Sequence, residues 1–237
     1  MKKGEEAREV QTVGFVIPTL NEADRIGQVL ASIPRTELEA LGYRATAIVV
    51  DGNSRDGTRE IAQSMGAHVV RQRGRGKGRA LRQLFVDFPC DFGIVIDGDG
   101  TYPARHAVSM MEPLSDGADM VLMARVRQNG SAKADRFNRM GNRILTGTAN
   151  LLLGTELQDL CTGMWGFKSR VVRDLRFEAN GFDIEAEVFA RAAKHGYRLR
   201  QLEVPYEPRD DGSKLRPFRD GFRIFRRIVR EALRRRH

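Results

Sequence analysis

Three branched aliphatic residues, Ile94-Val95-Ile96, run straight into Asp97-Gly98-Asp99-Gly100. A short apolar run bounded by turn residues reads as a strand buried on both faces, the kind found in sheets covered by helices on either side. Two carboxylates at the carboxyl end of such a strand repel each other unless a cation lies between them. Mg²⁺ and Mn²⁺ are hard ions that take oxygen ligands and reach substrate phosphates through one or two protein carboxylates. Gly98 and Gly100 keep side chains out of the way of an approaching ligand. An ordinary acidic turn has the same composition, so the remaining sequence must decide between the two.

Strand patterns recur along the chain, and several end in the same manner. Val13 to Ile17 reads as a first strand stopped by Pro18, followed by Thr19-Leu20-Asn21-Glu22 and a helical pattern through Ile26, Val29, Leu30 and Ile33. Asn21 is placed as its N-cap, with the helix N-terminus open to anions. Thr46 to Val50 forms a second strand and ends in Asp51-Gly52-Asn53-Ser54-Arg55-Asp56-Gly57-Thr58. Ligands of open parallel sheets sit outside the carboxyl ends of the strands, so Asp51 and Asp97 are expected on one crevice. Helix Arg59 to Met65 and strand Ala67 to Val70 follow. Gly74-Arg75-Gly76-Lys77-Gly78-Arg79-Ala80 is read as either a flexible basic loop that carries Lys77 to phosphates or a solvated basic turn. It has neither the Gly-Lys-Ser/Thr of a nucleotide-hydrolase loop nor Gly-x-Gly-x-x-Gly, since position 79 is Arg.

Farther on, Met120 to Ala124 is a strand followed by Arg125 and Arg127. Ala132 to Leu153 is helical, with Arg136, Arg139 and Arg143 on either a solvated face or a lid over an anion. Asp159 to Gly163 precedes strand Met164 to Phe167. Gly181 to Glu187 opens a helix with acids in its first turn, and Leu199 to Val204 is a last strand ended by Pro205. Two cysteines, Cys90 and Cys161, are too few for a disulfide scaffold and point to a reduced, cytoplasmic chain. No stretch reaches the roughly 18 to 20 apolar residues of a membrane span.

The net charge of +9 suits nucleic acid, anionic lipid or phosphorylated ligands. Acids paired at strand ends would repel a polynucleotide backbone, so nucleic acid is not an expected partner. A sugar nucleotidyltransferase would carry its basic glycine loop after the first strand, whereas here it follows the third.

The ordered series Ile17-Pro18-Thr19-Leu20-Asn21-Glu22, Asp51 to Thr58, Gly76-Lys77-Gly78 and Asp97-Gly98-Asp99 resembles the family 2 glycosyltransferases. More narrowly, it is similar to dolichyl-phosphate mannose synthases and polyprenyl-phosphate glucosyltransferases. Asp159 to Gly163, Gly181 to Glu187 and Gly212-Ser213-Lys214-Leu215 extend the likeness. The resemblance implies an α/β GT-A fold: a single domain with a Rossmann-like mixed sheet flanked by helices. It also implies that Pro18, Thr19, Asn21, Glu22 and Gly98 line the pocket for a nucleotide-sugar and that Asp51 contacts the base. Asp97 and Asp99, with Thr101 where mannose synthases commonly have Gln, would hold Mg²⁺ or Mn²⁺ on the donor diphosphate. Lys77, Arg125, Arg209 and Lys214 would neutralise that diphosphate, while Asp159 and Glu185 join the catalytic set. The implied reaction is inverting transfer of a hexose from a GDP- or UDP-sugar to a polyprenyl or dolichyl phosphate. A soluble acceptor is the alternative.

The chain is therefore read as a flexible stretch 1–11, a GT-A domain 12–214 and a basic helix 215–237. From Leu215 to His237 nine arginines stand against Asp220 and Glu231. Phe218, Phe222, Phe225, Val229 and Ala232 share one helical stripe. That stripe fits an anionic membrane surface, making the protein peripheral at the cytoplasmic face. Removing Phe218 to His237 is therefore expected to preserve hydrolysis or binding of the donor but to impair transfer to lipid in vesicles. Docking of the same stripe on the catalytic domain, with a solvated basic face, is the alternative.

Overall fold

The computed structural model describes residues 10–126, 133–205 and 216–234. Its sheet has seven strands in the order β3-β2-β1-β4-β6-β5-β7. β1 (Gln11–Thr19), β2 (Tyr43–Asp51), β3 (His68–Arg71) and β4 (Phe92–Ile96) run parallel to one another. β6 (Met164–Lys168) lies antiparallel between β4 and β5 (Met120–Val126), and β7 (Leu199–Pro205) pairs parallel to β5. The sheet is thus mixed, as expected, with a parallel first half.

All five residues of β4 are buried, because helices cover both faces of the sheet. One face packs on α1 (Ala23–Ala31), α2 (Arg35–Ala40), α3 (Thr58–Ser64) and α5 (Ala107–Ser115), through Ile17, Ile26, Leu30, Ile94, Met110 and their neighbours. The other face packs on α4 (Lys77–Phe85), α6 (Lys133–Leu153), α7 (Ser169–Asp174), α8 (Ile184–Lys194) and α9 (Pro217–Leu233). Trp165 anchors that second layer, with the rings of Phe85, Phe167 and Phe189 around it at centroid distances of 5.4 to 6.0 Å. Edge-on and tilted stacking of this kind adds to the area these rings bury.

Several boundaries differ from the sequence reading. β1 begins at Gln11, inside the stretch taken as flexible, and continues through Pro18 to Thr19. Pairing with β4 ends at Val16, so the missing N–H of Pro18 falls where that neighbour has already dropped away. The presumed loop at Lys77 is the start of α4. Arg127, Ala132, Arg209 and Lys214, and the segment Gly212 to Leu215, lie outside the described residues, as do the side chain of Arg136 and residues 1–9.

α9 resolves the choice between docking and exposure by doing both on different faces. Ile224, Ile228 and Glu231 are buried against the domain, whereas Phe218, Phe222, Phe225 and Leu233 are exposed. Arg227 reaches inward to Asp183 at 3.0 Å and Glu187 at 3.2 Å. Arg191 pairs with Glu187 at 2.6 Å and with Glu231 at 3.0 Å. Removing Phe218 to His237 would take Arg227 from Asp183 and Glu187 and Glu231 from Arg191, so the truncation expected to spare donor binding is expected to destabilise the domain as well.

Candidate active site

The carboxyl ends of β1, β2 and β4 meet in register, with Thr19 opposite Asp51 and Val16 opposite Val95. Between the β1 and β2 ends, the chain caps itself. The backbone N–H of Glu22 donates to Thr58 Oγ1 at 2.8 Å, and that of Ala23 to Asp56 Oδ2 at 3.0 Å. Asn21 takes a left-handed φ of 51° and accepts from the Arg55 N–H at 3.0 Å. It is therefore not the N-cap of α1, a position held by Glu22. The amides of Glu22 and Ala23, which open α1, are already satisfied by the Asp51 to Thr58 turn, so those two are not left for an anion.

Asp51 is fully buried and turns its carboxylate back on its own loop, accepting from the N–H groups of Asn53 and Ser54 at 3.2 Å. That corrects the expectation of a direct contact with a base: the residue shapes the pocket wall. Thr19, at 5% exposure, has a hydroxyl with no hydrogen-bond partner among the described residues. An orphaned hydroxyl at a strand end is the kind of group a bound ligand satisfies. Glu22 and Gly98 are buried and Pro18 is half-buried in the same wall.

Asp97 is where the chemistry gathers. Its Oδ1 lies 2.6 Å from Lys77 Nζ, which also lies 2.7 Å from Glu185 Oε1. A Cβ at Gly163 would come within 2.1 Å of Asp97 Oδ2, so only glycine leaves room for this carboxylate. Burial raises the affinity of Asp97 for its proton; Lys77 opposes that effect, and the Asp99 carboxylate reinforces it. Burial works against the Lys77 ammonium, yet Asp97 and Glu185 outweigh it and hold the group protonated. Lys77 is fixed from behind: a Cβ at Gly76 would meet Asn180 O at 2.0 Å, and one at Gly78 would meet Ala179 O at 2.6 Å. The glycines serve close packing against residues 178–181 and not flexibility, which overturns the loop reading.

Asp99 is half-exposed. Thr101 donates to Asp99 Oδ1 through both its N–H, at 3.1 Å, and its hydroxyl, at 2.7 Å. Thr101 thereby braces the Asp99 carboxylate from within the same turn. Among the described residues no third His, Cys, Asp or Glu joins Asp97 and Asp99 in a metal cluster. Two acids with the remaining positions left to phosphate and water is the donor set that Mg²⁺ and Mn²⁺ use.

Arg125 was expected on the diphosphate. Its Nε and Nη2 instead bind Asp159 at 2.6 and 2.7 Å, and Nη2 also donates to Cys161 O at 3.0 Å. Asp159 further accepts from Asn142 Nδ2 at 2.8 Å. This bidentate pair locks the end of β5 to the segment before β6, a positioning task for both residues. Burial alone would raise the Asp159 pKa, but the Arg125 hydrogen bonds and charge hold it below the usual carboxylate range. A depressed folded-state pKa contributes stability above the unfolded value, about 3.9, and loses it as pH falls through the folded one. Asp159→Asn is therefore expected to lower stability at neutral pH. Urea melts should show the gap from wild type closing only at strongly acid pH.

Tyr102 was absent from the sequence-derived set. It is buried, and its hydroxyl accepts from the Gly163 N–H at 2.8 Å, fixing the glycine that faces Asp97. Its position beside the Asp97 to Thr101 turn was the only signal, and that signal carries no role.

Residues 15–176 match the family model Glycosyl transferase family 2. The chain belongs to this family. Among related proteins, this family 2 glycosyltransferase is 38% identical over 223 residues to "Glycosyltransferase AglJ" of Haloferax volcanii, covering 93% of this chain and 72% of the relative. It is 34% identical to "Dolichyl-phosphate hexose transferase" of the same organism, covering 93% and 94%. Its fold matches glucosyl-3-phosphoglycerate synthase from Mycobacterium tuberculosis, solved with Mn²⁺ and UDP, at a TM-score of 0.71 and 23% identity, over 94% of this chain and 79% of that one. The GT-A architecture of the glycosyltransferase is thereby established.

Proposed function

We propose that this glycosyltransferase moves a hexose from a nucleoside diphosphate sugar to a polyprenyl or dolichyl phosphate at a membrane surface, with inversion at the anomeric carbon. The observation that carries the reading is the Asp97–Asp99 pair at the carboxyl end of a buried strand, with the Lys77 ammonium against it. A divalent cation bound there would act as a Lewis acid on the departing diphosphate. Asp99, braced by Thr101, and Asp97 are the residues that fit it. Lys77 adds a fixed positive charge where negative charge develops, and Thr19 offers a hydroxyl to the nucleotide. A phosphate acceptor is already nucleophilic at neutral pH, so the site needs no strong general base, and Glu185 orients Lys77.

Two observations support the lipid acceptor. One relative is a dolichyl-phosphate hexose transferase by name. The other is the outward stripe of Phe218, Phe222, Phe225 and Leu233 on α9, edged by the exposed Arg219 and Arg226. Exposed aromatics beside arginines suit an interface of headgroups and acyl chains. Among the described residues no helix is long and apolar enough to cross a membrane.

The test is to incubate the protein with Mn²⁺, a panel of GDP- and UDP-sugars, and either polyprenyl phosphate in anionic vesicles or phosphoglyceric acid, and to weigh the products. The expected product is a polyprenyl-phosphate hexose of inverted configuration. Phe222→Ser together with Phe225→Ser should lower vesicle binding and lipid transfer while sparing donor binding. Transfer only to phosphoglyceric acid would replace the lipid acceptor with a soluble one, and retained configuration would exclude single displacement.

A further inference from the structure

Asp97 is already engaged by the chain: its Oδ1 holds the Lys77 ammonium at 2.6 Å, and its Oδ2 sits beside Gly163, where a Cβ would come within 2.1 Å. A divalent ion that uses Asp97 must therefore share its carboxylate with an ammonium or displace it. Two positive centres on one carboxylate repel strongly in a partly buried site. Lys77 cannot retreat along the backbone, since Gly76 and Gly78 pin its helix start to Ala179 and Asn180. Only its side chain can move, and a second carboxylate is waiting. Glu185, in the first turn of α8 and with a side chain only 6% exposed, already holds the same ammonium at 2.7 Å.

We propose that Lys77 is an internal cation that competes with the divalent ion for Asp97, and that Glu185 is a positioning residue that keeps the ammonium when the ion arrives. This rests on the metal-dependent reading above and deepens it. In the metal-free protein Lys77 compensates Asp97, so the acid pair is not left facing itself. When a nucleoside diphosphate enters with the metal, its phosphates offer Lys77 a new anionic partner, and competition turns into cooperation. The metal alone then binds weakly, and metal and diphosphate bind best together.

Mn²⁺ titration followed by electron paramagnetic resonance, with no sugar donor present, reads this without activity. Lys77→Met should bind Mn²⁺ alone at least about tenfold more tightly than wild type, through removal of a cation in contact with the site. It should also lose most of the tightening that added UDP or GDP gives wild type. Glu185→Gln should move the other way, because Lys77 is left with Asp97 alone. Arg75→Gln, at an exposed position of the same segment, controls for long-range charge and should change Mn²⁺ affinity less than about twofold. Circular dichroism checks that each variant folds; if Lys77→Met does not, the sign of the Glu185→Gln change decides. Unchanged or weaker Mn²⁺ binding by a folded Lys77→Met overturns the competition, as does tighter binding by Glu185→Gln or an equal gain from Arg75→Gln. If wild type binds no Mn²⁺ even with diphosphate present, the metal-dependent reading fails and the competition falls with it. If wild type binds Mn²⁺ in a manner lost in Asp99→Asn, that reading stands and the Lys77 variants judge the competition alone.

Discussion

Asp99→Asn is expected to reduce hexose transfer by a factor of about 10² to 10³ or more, the usual result of removing one group that stabilises charge in the transition state. The substitution keeps the size of the side chain and the hydrogen bonds that Thr101 donates to Oδ1, so it removes charge and little else. Asp99 is only half-exposed at the end of β4, and its loss should shift the melting temperature by no more than a few degrees. The loss should persist at saturating donor, which separates it from a binding defect. Thr101→Val, which deletes only the hydroxyl brace, should cost less. Turnover close to wild type for Asp99→Asn in Mn²⁺ would remove the acid from the reaction.

The second large effect is on stability, and it lies under α9. Arg227→Met is expected to destabilise the protein by about 3 kcal/mol, because it leaves acids buried with a partner missing. Asp183 and Glu187 are 2% and 0% exposed in their side chains, and Arg227 bridges them from a side chain that is itself 10% exposed. Glu187 keeps Arg191 and the N–H groups of Glu178 and Ala179, which holds the cost below that of a wholly orphaned charge. Arg226, one residue earlier but exposed, should change stability by less than about 0.5 kcal/mol when replaced with Gln. Equilibrium urea unfolding of the two variants measures the difference. Equal, small effects would show that the cluster beneath α9 contributes nothing net.

The sheet and its acidic strand ends were legible because they are written locally. Ile94 to Ile96 declare a buried strand, and Asp97 and Asp99 stand at its end where the parallel sheet presents ligands. Gly76-Lys77-Gly78 misled for the opposite reason. Glycine beside basic residues reads as a flexible loop, but what fixes these glycines is the backbone of Ala179 and Asn180, about a hundred positions away. Asn21 failed similarly: it has the composition of a cap, yet Asp56 and Thr58 on the neighbouring strand's loop satisfy those amides first. Arg125 is a third instance, since nothing near it in sequence announces Asp159 as its partner. On α9 the period of the apolar residues was visible, but two apolar stripes share the helix. Only the fold shows that Ile224 and Ile228 face inward while Phe218, Phe222 and Phe225 face out.

α8 has no surface of its own over most of its length: every residue from Ile184 to Ala192 is buried, with the sheet on one side and α9 on the other. A helix enclosed in this way has no small opening through which to fray, so its amides exchange with solvent only when the whole domain comes apart. Glu185 rides on that helix. The grip on Lys77, and through it the aim of Asp97, consequently belongs to the cooperative unit of the domain and not to a local segment. On heating, this protein should keep its catalytic geometry until the domain melts, and activity and fold should disappear together.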